Sequence, residues 1–138
     1  MDKALIITIL ILICVAVLFL LASQNQRKEK QKAISRMLNS LEALKAGAAS
    51  EDLARRRDTI IKLDNILSKS LQYRLSNSGL CGDNLKLIKK RFKKNEYERL
   101  WEVHKIRNKI VHDDLDITES EAQEAYKIYN MSIHRILK

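Results

Sequence analysis

The run ALIITILILICVAVLFLLA, residues 4–22, decides the architecture. It holds no charge and a single hydroxyl, Thr8. At about 1.5 Å per residue its length matches the roughly 30 Å hydrocarbon core of a bilayer. Backbone in lipid must satisfy its own hydrogen bonds, so a span of this kind is helical. A secretory leader has a basic start, a shorter apolar stretch and a small-residue cleavage site. Here the stretch is longer, Lys3 is balanced by Asp2, and Leu20-Leu21-Ala22 puts leucine where a small residue belongs. A retained single-pass anchor over residues 1–26 is expected, with residues 4–22 in the bilayer. Arg27, Lys28, Lys30 and Lys32 crowd its C-terminal flank. The bias of Lys and Arg toward the cytoplasm then places the following domain on the inner side of the cell membrane.

Outside this run the composition is that of one small helical domain. The 138 residues carry a net charge of +9, all of it beyond the anchor because Asp2 and Lys3 cancel. The chain has no proline, three glycines and 5% aromatic residues, which argues against an all-β domain. Two cysteines cannot build a disulfide scaffold, and Cys14 inside the apolar run cannot reach Cys81 in a soluble domain. There is no CxxC or HExxH, and His104, His112 and His134 do not form a recognisable zinc set, so neither metal nor cofactor is expected.

Apolar periodicity predicts four amphipathic helices. The first covers about residues 30–46, within a basic juxtamembrane segment 27–49, and repeats Ile34, Met37/Leu38, Leu41 and Leu44. The second starts from Ser50 as N-cap and runs to Leu75 with Ile60, Leu63, Leu67 and Leu71 as its stripe. Asp83 caps a third, about residues 85–111, broken near Asn95. Thr118-Glu119-Ser120-Glu121 fits a capping box, and Ala122, Ala125, Tyr129, Ile133 and Ile136 line the helix that follows. The fold class expected is all-α: one transmembrane helix, then an antiparallel four-helix bundle whose domain occupies residues 50–138. Gly79-Leu-Cys-Gly82 reads as an interhelical turn, since no strand precedes it and no Gly-Lys-Ser/Thr follows.

Chemistry concentrates in Leu100-Trp-Glu-Val-His-Lys-Ile-Arg-Asn-Lys-Ile-Val-His112. On a helix Val103, Ile106 and Ile110 share a core-facing arc, while His104, Arg107, Asn108 and His112 fall on another side. A solvated basic face accounts for the same pattern. Asp64 adds a second oddity. It projects among Ile60, Ile61, Leu67 and Leu71, where a carboxylate needs a donor. Arg107, with its planar fork, suits that role; the alternative is that Asp64 lies at the edge of the stripe and reaches water.

Arg107-Asn-Lys-Ile-Val-His112 resembles the motif of the HEPN superfamily (higher eukaryotes and prokaryotes nucleotide-binding domains): arginine, four to six residues, histidine, with a polar residue directly after the arginine. The resemblance spans about residues 50–138. It includes Asp64 in the second long helix, Gly79 and Gly82 in the turn, Trp101 and His104-Lys-Ile-Arg-Asn, and the capped last helix. It implies a helical domain, a two-fold homodimer with both motifs facing one cleft and, in many members, a metal-independent endoribonuclease; other members are catalytically silent. Toxin members held in check by a partner nucleotidyltransferase carry a tyrosine two residues after the histidine, where this chain has Asp114.

Cleaving RNA without metal requires activation of a 2′-hydroxyl, a proton for the leaving 5′-oxygen, and stabilisation of charge on the phosphate. The resemblance then gives His112 as general base or acid, Arg107 as phosphate clamp and Asn108 as the orienter of either. His104 or a second protomer would supply a further histidine, and Asp64 would support the group. The basic run Lys86, Lys89, Lys90, Arg91, Lys93 and Lys94, with Arg55-Arg56-Arg57, suits an RNA backbone, and equally a solvated or membrane-facing surface. The reading of another class is a tethered, non-catalytic helical module for dimerisation or for binding protein, nucleotide or RNA.

Overall fold

An unbroken apolar sequence with no proline or glycine has no reason to leave the helical conformation. In the computed structural model, which describes residues 2–138, helix α1 (Lys3–Ala43) contains the whole apolar run. Thr8 returns its hydroxyl to the Ala4 carbonyl at 2.8 Å, so the one polar side chain of the run is satisfied within the helix. The side chains of this run are exposed, Phe19 at 74% and Leu18 at 66%. An exposed apolar surface of this extent is unlike that of a soluble monomer. The helix is long and apolar enough to cross a membrane, with a mean hydropathy of 3.4 over its most apolar window.

The remainder of the described chain is helical too, with no strand. A second compact unit, Met37–Lys138, holds the end of α1, then α2 (Lys45–Ala48), α3 (Leu53–Leu75), α4 (Cys81–Leu87), a 3₁₀ turn (Lys89–Arg91), α5 (Lys94–His112) and α6 (Glu119–Leu137). This unit begins before residue 50, where the sequence placed the domain start. Leu41 is fully buried, and Gly47 lies so close to α3 that a β-carbon there would sit 2.2 Å from Thr59 Oγ1. The segment 37–49 therefore belongs to the folded unit rather than to a connector.

Helix α3 is central and packs on α2, α4, α5 and α6. Its stripe Ile60, Leu63, Leu67 and Leu71 is fully buried, α3 packs on α6, and the α6 residues that 3.6-residue periodicity selects, Ala122, Ala125, Tyr129, Ile133 and Ile136, are buried too. The capping box of α6 forms as expected: Thr118 Oγ1 accepts from Glu121 N–H, and the Glu121 carboxylate accepts from Thr118 N–H. The Thr118 N–H and hydroxyl, both donating to it, hold the Glu121 carboxyl below its ordinary range.

Two boundaries differ from the sequence expectation. The N-cap of α3 is Asp52, whose carboxylate accepts from Ala54 N–H, while Ser50 Oγ accepts from Asp52 N–H one step earlier. A serine at 50 satisfies the lead-in and leaves the cap to the acid. The break expected near Asn95 falls slightly earlier and is complete, so the third stretch is two helices. Asp83 lies inside the first turn of α4, and the chain turns extended at Phe92 and Lys93 before α5 begins. Glu96 closes this new start by accepting from Lys93 N–H at 3.1 Å and by pairing with Arg135 of α6.

Candidate functional site

Asp64 is 3% exposed, on the face of α3 that meets α5 and α6. Three groups surround its carboxylate. His104 Nδ1 lies 2.9 Å from Oδ1, the Tyr129 hydroxyl 3.0 Å from the same oxygen, and Arg107 Nε 3.5 Å from Oδ2. The tyrosine hydroxyl also lies 3.1 Å from the Val103 carbonyl, and with one proton it donates to one acceptor at a time. Asp64 thus lies inside the fold rather than at a solvated edge of the stripe, and its close partners are the imidazole and the phenol rather than a bidentate arginine. Burial and the Asp64 charge push the Tyr129 hydroxyl well above its ordinary pKa, so it remains a donor.

Arg107 is held from two sides. Nη1 donates to Asn108 Oδ1 at 3.0 Å, and Nε, buried and without a hydrogen bond, faces Asp64. The remaining guanidinium donors have no protein partner among the described residues, and the side chain is 26% exposed. An oriented guanidinium with free fork donors is what an anion clamp requires.

The same network forms the floor of a cleft of about 420 Å³ between α3, the turn after it, α4 and α5. Asp64, His104 and Arg107 line it, together with Ser68, Gln72, Gly79, Cys81 and Gly82. The turn is stiff. The carboxamides of Asn77 and Asn84 exchange hydrogen bonds at 2.8 and 2.9 Å, and Gln72 donates to the Gly79 carbonyl at 3.0 Å. A β-carbon on Gly79 would come within 2.8 Å of Asn84 Oδ1, so glycine is what lets the turn close on α4. Burial, and then the Asp64 charge, push the Cys81 thiol up to about 12 against a smaller opposing effect of Arg107, so it is protonated and a poor nucleophile. Trp101 meets the His104 ring edge-on at 5.7 Å and closes one side of the imidazole.

The structure brings Asp64, His104, Arg107 and Asn108 together. It does not bring His112 with them: this histidine is exposed at the end of α5 and is not part of the cleft lining. Lys86, Lys89, Lys90, Arg91, Lys93 and Lys94 are all exposed on α4, the 3₁₀ turn and the start of α5. Of the second basic group, Arg55 is exposed but Arg56 and Arg57 have structural tasks. Arg56 donates to the carbonyls of Ser50, Glu51 and Ile117, while Arg57 pairs with Asp114 and donates to the Ile110 carbonyl. They pin the loop after α5, where Asp114 takes a left-handed φ of 53°. Tyr129 and Cys81 were not legible as site residues. The first is indistinguishable from a core position of α6, and the second sits in a turn whose approach to α3 and α5 no local pattern reports. No family model, no curated protein and no solved structure matches the chain.

Proposed function

We propose that the chain is a membrane-tethered, HEPN-like endoribonuclease that cleaves RNA without a metal in the reaction. The observation that carries this reading is Arg107: one edge of its guanidinium is fixed by Asn108 and Asp64, and the rest of the fork is free to take a phosphate. His112 is exposed for proton transfer to and from a ribose hydroxyl. Five residues along a helix put His112 about 140° around from Arg107, so the catalytic pair is completed across the two-fold of a homodimer whose protomers are each an antiparallel four-helix bundle. The six exposed bases from Lys86 to Lys94 hold the RNA backbone, and the Arg27–Lys32 cluster keeps the domain on the cytoplasmic side of the cell membrane.

The test is cleavage of a labelled single-stranded RNA by the full chain in nanodiscs, with chelator present, beside His112→Ala and Arg107→Ala. Cleavage by the parent and its loss in both variants, each still folded, supports the reading. No cleavage by any of the three, or equal cleavage by all, refutes it.

A second reading is favoured by one observation: the cleft lined by Asp64, His104 and Arg107 does not include His112. On that reading the domain is a non-catalytic binding module. Retention of RNA by the parent and by His112→Ala, with no cleavage by either, is its signature.

A further inference from the structure

The charged side chains on the cleft lining are Asp64, Asp83 and Arg107; Asp83 faces Lys86 and Asp64 faces Arg107. The cleft floor offers three donors of different kinds, an Asp64 oxygen, the Cys81 sulfur and a His104 ring nitrogen, all within 4.8 Å of one another. Histidine spacing along the sequence does not reveal this set, because the donors come from α3, α4 and α5. We propose that Asp64, Cys81 and His104 form a binding site for a borderline-soft divalent cation of the zinc class.

Thiolate, imidazole and carboxylate together suit zinc, whereas magnesium and calcium take oxygen ligands. Donor atoms around tetrahedral zinc lie roughly 3.3–3.6 Å apart, so the set closes on the ion by movements of about 1 Å. Three protein ligands leave the fourth position to water from the cleft. Binding releases the Cys81 proton to solvent as the sulfur–metal bond forms, and His104 binds through its unprotonated ring nitrogen, the ring proton staying on the other one. Arg107 Nε lies 3.5 Å from Asp64 Oδ2, so the acid of this set is also the neighbour of the guanidinium. The cation is no reactant in the proposed RNA chemistry, although Asp64 also steadies Arg107, and the test of this site uses no RNA.

The experiment is titration of the full chain in detergent micelles with Co²⁺, in a Cys14→Ser background that leaves Cys81 as the sole thiol. The expected result is one ion per chain, with a sulfur-to-cobalt charge-transfer band and the intense visible bands of tetrahedral cobalt, displaced by Zn²⁺. Cys81→Ser is expected to abolish the sulfur band and weaken binding at least about tenfold while keeping the circular dichroism of the parent. Absence of the sulfur band in the folded parent, or an unchanged cobalt spectrum in Cys81→Ser, overturns the proposal. The parent spectrum decides the matter even where the variant fails to fold.

Discussion

Asp64 on α3 and His104 on α5 are joined by a contact of 2.9 Å between Oδ1 and Nδ1, and both side chains are nearly removed from solvent. This pair fixes the register of α5 against α3 and, through Asp64, the position of Arg107.

Removing the acid strands an imidazole and a buried guanidinium nitrogen at once, while the Tyr129 hydroxyl falls back on the Val103 carbonyl. Asp64→Ala is expected to destabilise the folded unit by about 3 kcal/mol or more, and Asp64→Asn, which keeps the volume and one acceptor, by less. Urea denaturation followed by circular dichroism measures both. Two variants equal to the parent would mean that the network contributes nothing to the fold.

How much of this was legible beforehand depends on the range of each interaction. The apolar run of residues 4–22 and the Thr118 capping box are local features, and periodicity is enough to read them. Asp64 is legible as an oddity, since a carboxylate on an apolar stripe demands a donor, but α5 and α6 both offer donors and their order of approach is a tertiary matter. Arg107 was the natural choice on chemistry, whereas His104 and Tyr129 won on position. The break at Phe92–Lys93 carries no proline or glycine, and the Arg56 and Arg57 contacts depend on where the loop after α5 lands.

Gly47 faces Thr59 so closely that an added β-carbon would overlap its hydroxyl oxygen. Thr59 is itself buried and donates to the Arg55 carbonyl at 2.8 Å, so it cannot swing away without losing that bond. Gly47→Ala is expected to cost roughly 1–3 kcal/mol despite the better helix propensity of alanine. An unchanged or raised melting temperature would contradict the packing of α2 on α3.

Ser132 is fully buried, and its hydroxyl has no hydrogen-bond partner among the described residues. Ser132→Ala removes an unsatisfied group from the core of α6 and favours the helix, so stability should rise by about 1 kcal/mol. A loss of stability would reveal a partner for this hydroxyl.

The hydrogen bond and charge of Arg135 hold the Glu96 carboxyl below its usual value of 4.5, with help from Lys93 N–H. A carboxyl depressed in the folded state stabilises that state above the unfolded pKa and loses the contribution as pH falls through the folded one. Because the pair lies half-buried at the surface, solvent screens it, the effect is small, and salt reduces it further. Melting temperatures from neutral pH to well below 4.5 should show a shallower acid decline for Glu96→Gln than for the parent. Identical profiles would remove Glu96 from the acid response.

The central claim is metal-free ribonuclease chemistry at Arg107 and His112, and it is tested most directly by the ends of the RNA fragments. With chelator present, the full chain in nanodiscs is expected to leave 2′,3′-cyclic phosphate and 5′-hydroxyl ends, to spare an RNA whose 2′-hydroxyls are methylated, and to lose this activity in His112→Ala. Intact RNA with the parent, or the same ends from His112→Ala, would contradict the account.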